Sequence, residues 1–119
     1  MCEIPHFFLE NECGIPHNRK VKYSIQTTTE YDTWFDGLTT KAQASIEKRL
    51  SKIAETGHFG KNPNKHKDLG EGLEELKFHD QNGMRIYFAR TGEAEITLLL
   101  GGFKNGQSKD IKKARGYLD

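Results

Sequence analysis

Residues 72–104 constrain this chain more than any other stretch, because they form three successive runs of strand character separated only by short turn signals. In Gly72-Leu73-Glu74-Glu75-Leu76-Lys77-Phe78-His79, Leu76 and Phe78 point one way while Lys77 and His79 point the other. Asn82-Gly83 is a hairpin signal. Residues 84–90 then set Met84, Ile86 and Phe88 on the core side and Arg85 and Tyr87 opposite. After the turn Thr91-Gly92-Glu93, a nearly unbroken apolar run holding Ile96, Leu98 and Leu100 predicts a central strand buried on both faces. It runs out into Gly101-Gly102-Phe103-Lys104. The result is an antiparallel meander that gathers Lys77, His79, Arg85 and Tyr87 on one face, with Lys104 leaving beside them, and function is expected there.

Upstream, residues 21–28 predict a first strand with Tyr23 and Ile25 inward. Thr29-x-x-Asp32 reads as a capping box, followed by Tyr31, Trp34, Phe35 and Leu38 as one helical stripe. Thr40 is expected to cap a second helix, along which Ala42, Ile46, Leu50 and Ile53 recur until Gly57 stops it. Its other face carries Lys41, Glu47, Lys48, Arg49 and Lys52 and is read as solvated or facing a partner. Residues 58–72 are rich in Gly, Asn and Pro and are expected to form a long loop. Ser108 is expected to cap a final helix with Ile111, Ala114 and Leu118 inward. The order βααβββα makes the fold α+β, with two helices on one face of a four-stranded, mostly antiparallel sheet and the cationic face open.

A chain of 119 residues is one domain, assigned here to residues 21–119. A charged fraction of 29% and mean hydropathy of −0.77 are polar, yet the apolar residues fall in periodic blocks that disordered chains lack. No apolar run is long enough to span a bilayer and residues 1–20 lack the features of a signal peptide, so the expected compartment is the cytoplasm, without membrane association. Residues 1–20 contain a short repeat, Cys2-Glu3-Ile4-Pro5-His6 and Cys13-Gly14-Ile15-Pro16-His17. Two Cys and two His could ligate zinc, but the spacing matches no zinc module and each proline stiffens the chain where it would have to bend. The segment is read as a flexible, dispensable leader, and no metal or cofactor is expected.

The phrases Tyr-x-x-Trp-Phe-Asp-Gly-Leu (31–38), Asp-Leu-Gly-Glu-Gly-Leu-Glu-Glu-Leu (68–76), Gly-Met-Arg-Ile-Tyr-Phe (83–88) and Leu-Leu-Leu-Gly-Gly-Phe-Lys (98–104) resemble the HigB-type addiction module killer toxins of the RelE/ParE superfamily. The resemblance implies a type II toxin–antitoxin system whose toxin cleaves mRNA on the translating ribosome and is neutralised by a cognate antitoxin, expected to be of helix-turn-helix, HigA type. It also implies that Arg85 binds the scissile phosphate, that Lys77 is the second-strand lysine, and that Lys104 is the basic residue after the last strand. His79 takes a later basic position, while Glu75 stands where some members have a cation. Several members carry a tyrosine or histidine shortly after the last strand; residues 105–110 here hold neither. Gyrase-poisoning ParE-type members lack the catalytic cations, so Arg85, Lys77 and Lys104 favour the nuclease branch; the alternative is a non-catalytic interaction module, either a ParE-like toxin or an inactive relative that binds only its antitoxin.

The chemistry points the same way. Metal-free RNA cleavage needs a base for the ribose 2′-OH, cations for the charge that builds on phosphorus, and an acid for the leaving 5′-oxygen. The fork of Arg85 suits phosphate, Lys77 and Lys104 are candidate proton carriers, and His79 and His66 are rivals. Tyr87 is suited to stack on a base. Lys61, Lys65, His66 and Lys67 on the expected loop, with Lys109 further on, are assigned to the RNA backbone.

Overall fold

The fold was read from a computed structural model, which describes residues 23–59 and 65–118. The leader, its Cys-His repeat and Lys61 lie outside the described residues. The elements are β1 (Ser24–Thr27), α1 (Thr29–Asp36), α2 (Thr40–Thr56), β2 (His66–Gly70), β3 (Leu73–Lys77), β4 (Met84–Gly92), β5 (Glu95–Phe103), a 3-10 turn (Lys104–Gly106) and α3 (Gln107–Gly116). They build one mixed sheet in the order β1-β5-β4-β3-β2. β1 runs parallel to β5, and the remaining pairs are antiparallel.

The α+β class holds, but the sheet has five strands where four were expected. The extra strand, β2, falls inside the expected loop. Its sequence, His-Lys-Asp-Leu-Gly, has no apolar alternation, and it becomes a strand because β3 offers it an unpaired edge. The helix starts also move by one residue. Thr28 caps α1, accepting from Tyr31 N–H at 3.0 Å while its own hydroxyl donates to the Leu99 carbonyl at 2.6 Å. Thr39, accepting from Ala42 N–H, caps α2. Gly106 precedes α3, and no side chain caps that helix.

Two apolar clusters lie on opposite faces of the sheet. The larger joins Tyr31, Phe35, Ile46, Leu50 and Ile53 of the helix pair to Ile25, Leu76, Met84, Ile86, Phe88, Ile96 and Leu98. The smaller joins Ala114 of α3 to Leu73, Tyr87, Ala89, Leu99 and Leu100. β5 is buried on both faces, as its apolar run predicts, and it carries a bulge: Tyr87 pairs with Leu100 and Phe88 with Leu98, so Leu99 is the extra residue and Leu100 turns to the α3 face. The second face is therefore not open as expected. α3 covers it, and Tyr87 is fully buried. Arg49, expected on a solvated helix face, instead donates to the Lys77, Phe59 and Lys65 carbonyls with its guanidinium 4.8 Å from the Phe78 ring centre. It ties the chain entering β2 to the end of β3. Among the described residues, no helix is long and apolar enough to cross a membrane.

Candidate active site

The sheet register builds the site. Lys77 on β3 and Gly102 on β5 both pair with Arg85 on β4, and Glu75 pairs with Tyr87. With side chains alternating in period two, Glu75, Lys77, Arg85 and Tyr87 all rise from the face beneath α3. The Gly101-Gly102 pair lies just before the end of β5, where two groups press on the backbone from different elements. A Cβ at Gly101 would lie 2.2 Å from the Trp34 ring, and one at Gly102 would lie 2.0 Å from an Asp110 carboxylate oxygen. A side chain at Gly101 would drive into the Trp34 ring, whereas one at Gly102 would push the Asp110 carboxylate aside; glycine there lets α3 bring Asp110 down beside Arg85's strand partner.

Arg85 is central and only 7% exposed. Its Nε lies 3.6 Å from Glu75 Oε2, and its Nη1 donates to the Met84 carbonyl at 3.2 Å and the Gly83 carbonyl at 3.3 Å. Lys104 reaches the same point from the end of β5: its N–H donates to the Gly83 carbonyl at 2.9 Å, and its side chain passes over the Gly83 Cα beside Arg85 Nη1. Gln107, in the first turn of α3, donates its amide to Glu75 Oε2. Glu75 Oε1, Arg85 Nε and the Tyr87 hydroxyl are all buried without a hydrogen bond of ordinary length, although Arg85 Nε lies 3.6 Å from Glu75 Oε2 and the Tyr87 hydroxyl faces the Glu75 carboxylate. Unpaired buried polar atoms each carry a desolvation penalty of about 1–3 kcal/mol, and three of them in one place mark a site kept for something other than stability. Burial pushes the Tyr87 hydroxyl well above its ordinary range, with the Glu75 and Asp110 carboxylates adding to the effect. Burial also raises the Asp110 carboxyl, against the opposing charges of Lys113 and Lys109.

Of the residues expected from sequence, Arg85, Tyr87, Lys77 and Lys104 come together here. Lys77 is half-buried, and Lys104 and Lys109 are exposed. His79 and Lys65 line, with Lys77, Lys48 and Lys52, an open cleft of about 610 Å³ between α2 and the end of β3. Lys67 is exposed on β2. His66 lies on the other face: its ring packs at 5.3 Å from Phe59 and 5.9 Å from Phe88, and its Nε2 is 2.8 Å from Glu74 Oε1. Sequence reading did not assign Glu75, Gln107 and Asp110 to the site. Glu75 was visible, two positions before Lys77 on the same strand face. Gln107 and Asp110 are one helical turn apart, a spacing that says nothing until α3 is docked.

Residues 33–116 match the family model described as Phage derived protein Gp49-like (DUF891). An uncharacterized protein of Haemophilus influenzae is 34% identical over 92 residues, which cover 76% of this chain and 88% of that protein. Among solved structures, a mutant E. coli RelE toxin in the free state superposes with a TM-score of 0.58 at 15% identity, over 77% of this chain and 97% of that one. The intact E. coli RelBE toxin–antitoxin complex contains a chain that matches with a TM-score of 0.55 at 15% identity, over 68% of this chain and 95% of that one. At such identities the likeness is one of fold.

Proposed function

This chain belongs to the Phage derived protein Gp49-like family, and we propose that it is the toxin of a type II toxin–antitoxin system, a HigB-type member that cleaves mRNA on the translating ribosome. The observation that carries this reading is Arg85, a guanidinium held on a sheet face with its Nε 3.6 Å from Glu75 but making no hydrogen bond, and flanked by two lysines, Lys77 across the strand pair and Lys104 at Gly83. A fork fixed in this way suits the phosphorane of a metal-free transesterification, and we assign to Lys104 the protonation of the leaving oxygen. Positioning of the RNA in line is the part assigned to the ribosome. Lys65, Lys67 and Lys109 supply peripheral cations for the RNA backbone, with His79 as a further polar contact, in a cytoplasmic protein. The RelE fold, which occurs in a toxin–antitoxin complex, supports a cognate antitoxin as partner, and we assign it to the helix-turn-helix, HigA type.

A second reading, that of a non-catalytic interaction module, draws on the near-complete burial of Arg85 beside Glu75. One experiment separates the two. Wild-type protein induced alone should arrest translation and leave cleaved mRNA, while Arg85→Ala should lower cleavage by about 10²–10³-fold, the usual effect of removing one donor to a developing oxyanion. Arg85→Lys, which keeps the buried charge, controls for folding by circular dichroism. Undiminished toxicity and cleavage in a folded Arg85→Ala variant rejects the nuclease site.

A further inference from the structure

We infer that the cleft between α2 and the end of β3 is a second RNA site, one that grips the sugar-phosphate backbone of a single strand away from Arg85; the choice of RNA as occupant rests on the nuclease reading above.

Lys48 and Lys52 stand at i and i+4 on α2, with Arg49 beside them, and all three line the cleft. Lys65 and Lys77 line it from the other side. Asp80 is the carboxylate among the lining residues, and it accepts the Ser45 hydroxyl at 3.0 Å. Elsewhere in the molecule Arg85, Arg90, Lys113 and Arg115 each pair with a glutamate. Among the described residues no carboxylate forms an ion pair with Lys48, Arg49, Lys52, Lys65 or Lys77. Arg49 is half-buried with its guanidinium engaged by three backbone carbonyls, so its charge stays uncompensated. Like charges at i and i+4 weaken a helix slightly, so the lysine pair is not there for stability. A chain with a net charge of only +1 thus gathers five cations in one cleft, and a cleft lined by one sign of charge focuses its field on an oppositely charged ligand.

What the cleft lacks narrows the ligand class. An acidic protein segment docks through apolar anchors or by pairing with a free strand edge. The apolar residues here, Phe59 and Phe78, are already covered, at 8% and 5% exposed, and β3 is paired by β2 on one side and β4 on the other. What remains is charge at a repeat. Lys48 and Lys52 are about 6 Å apart along the helix axis, close to the separation of consecutive phosphates on a nucleic-acid strand. Lys77 supplies the continuity, since it lines the cleft and is also the strand partner of Arg85. A strand whose scissile phosphate sits on Arg85 passes Lys77 at the end of β3 and lies along α2, held by its phosphates and without regard to base sequence.

The test is fluorescence anisotropy of a labelled 2′-O-methyl oligonucleotide of about twelve nucleotides, titrated with the purified full chain. The probe cannot be cleaved, so the measurement reads binding alone. Lys48→Gln combined with Lys52→Gln should weaken binding at least about tenfold and lower the slope of log affinity against log salt by about 1.4, the share of two phosphate contacts on a single strand. Both lysines are exposed and glutamine is a good helix former, so this variant keeps the fold, which circular dichroism checks. Lys41→Gln combined with Lys112→Gln removes the same charge from exposed positions outside the cleft and should stay within about twofold of wild type. An oligoglutamate of equal charge should displace the probe about tenfold less well than an unlabelled oligonucleotide of unrelated sequence. Wild-type affinity in the cleft variant overturns the proposal, and so does an equal loss in the outer-lysine variant, which would make binding a matter of net charge. Competition by oligoglutamate as strong as by the oligonucleotide overturns it by giving the cleft to an acidic protein segment. A wild type that does not bind the probe at about 50 mM salt overturns it as well. Failure of the nuclease reading shows instead as absence of mRNA cleavage in the Arg85 experiment, so the two failures are told apart.

Discussion

Glu74 and Glu75 are neighbours in the chain and opposites in the fold. On the face under α1 and α2, Glu74 binds Arg90 through both oxygens and His66 through one, while Arg90 also donates to the Tyr23 hydroxyl at 2.9 Å and lies over the Phe59 ring. None of these side chains contributes a buried polar atom without a partner. On the face under α3, Glu75, Arg85 and Tyr87 each contribute one. The first face closes this network at the rim of a large apolar core, where the Trp34 indole N–H is the one buried side-chain polar atom on that face left without a partner among the described residues. The second leaves its network open in a smaller core. Satisfied groups stabilise the fold, whereas unsatisfied buried groups cost stability and are retained where a ligand completes them.

The contrast is tested most strongly in the larger core. Phe88 is fully buried and stacks on Phe59 at 5.3 Å, so Phe88→Ala should destabilise the protein by about 3–5 kcal/mol in chemical denaturation. A cost below about 2 kcal/mol would mean that this face is not the main source of stability.

Glu74 comes next. Burial works to raise its carboxyl, but the hydrogen bonds from Arg90 and His66 outweigh that and hold it below the usual carboxylate range. A depressed value in the folded state gives stability that is fully present above the ordinary carboxylate range and is lost as pH falls through the lowered value. Glu74→Gln should therefore cost about 1–3 kcal/mol near neutral pH and progressively less as the solution is acidified. A mutational cost that does not shrink in acid would show that the network draws its strength from packing and not from charge.

The smallest effect is expected at Tyr87, and its sign is the point. The hydroxyl is buried and makes no hydrogen bond of ordinary length, with only the Glu75 carboxylate facing it, so Tyr87→Phe should leave stability unchanged or raise it by about 1 kcal/mol. A clear loss of stability would reveal a structural partner for this hydroxyl and remove the difference between the two faces.

The amino-acid sequence alone determined the meander, both helices of the first layer and the cationic side of the sheet, since each rests on periodicity within about ten consecutive residues. Leu76, Met84, Ile86 and Phe88 all face the core that their alternation demands. Arg85, Lys77 and Lys104 could be singled out for the same reason: strand parity places them on one face, and the turn at Asn82-Gly83 brings two of them into register. What lay outside local periodicity was decided by tertiary structure. β2 is a strand only because β3 has an edge to pair with, and Leu100 changes face because β5 bulges at Leu99. The burial of Tyr87, the engagement of one Glu75 oxygen by Gln107, and the approach of Asp110 to Gly102 all depend on where α3 docks, 30 or more residues beyond the β3 glutamate it covers. A contact across that separation leaves no mark on the spacing of either segment. The residues of the site were therefore readable as types on a face, while their environment, which decides how deeply each is buried and what it pairs with, followed only from the packing of a helix against a sheet.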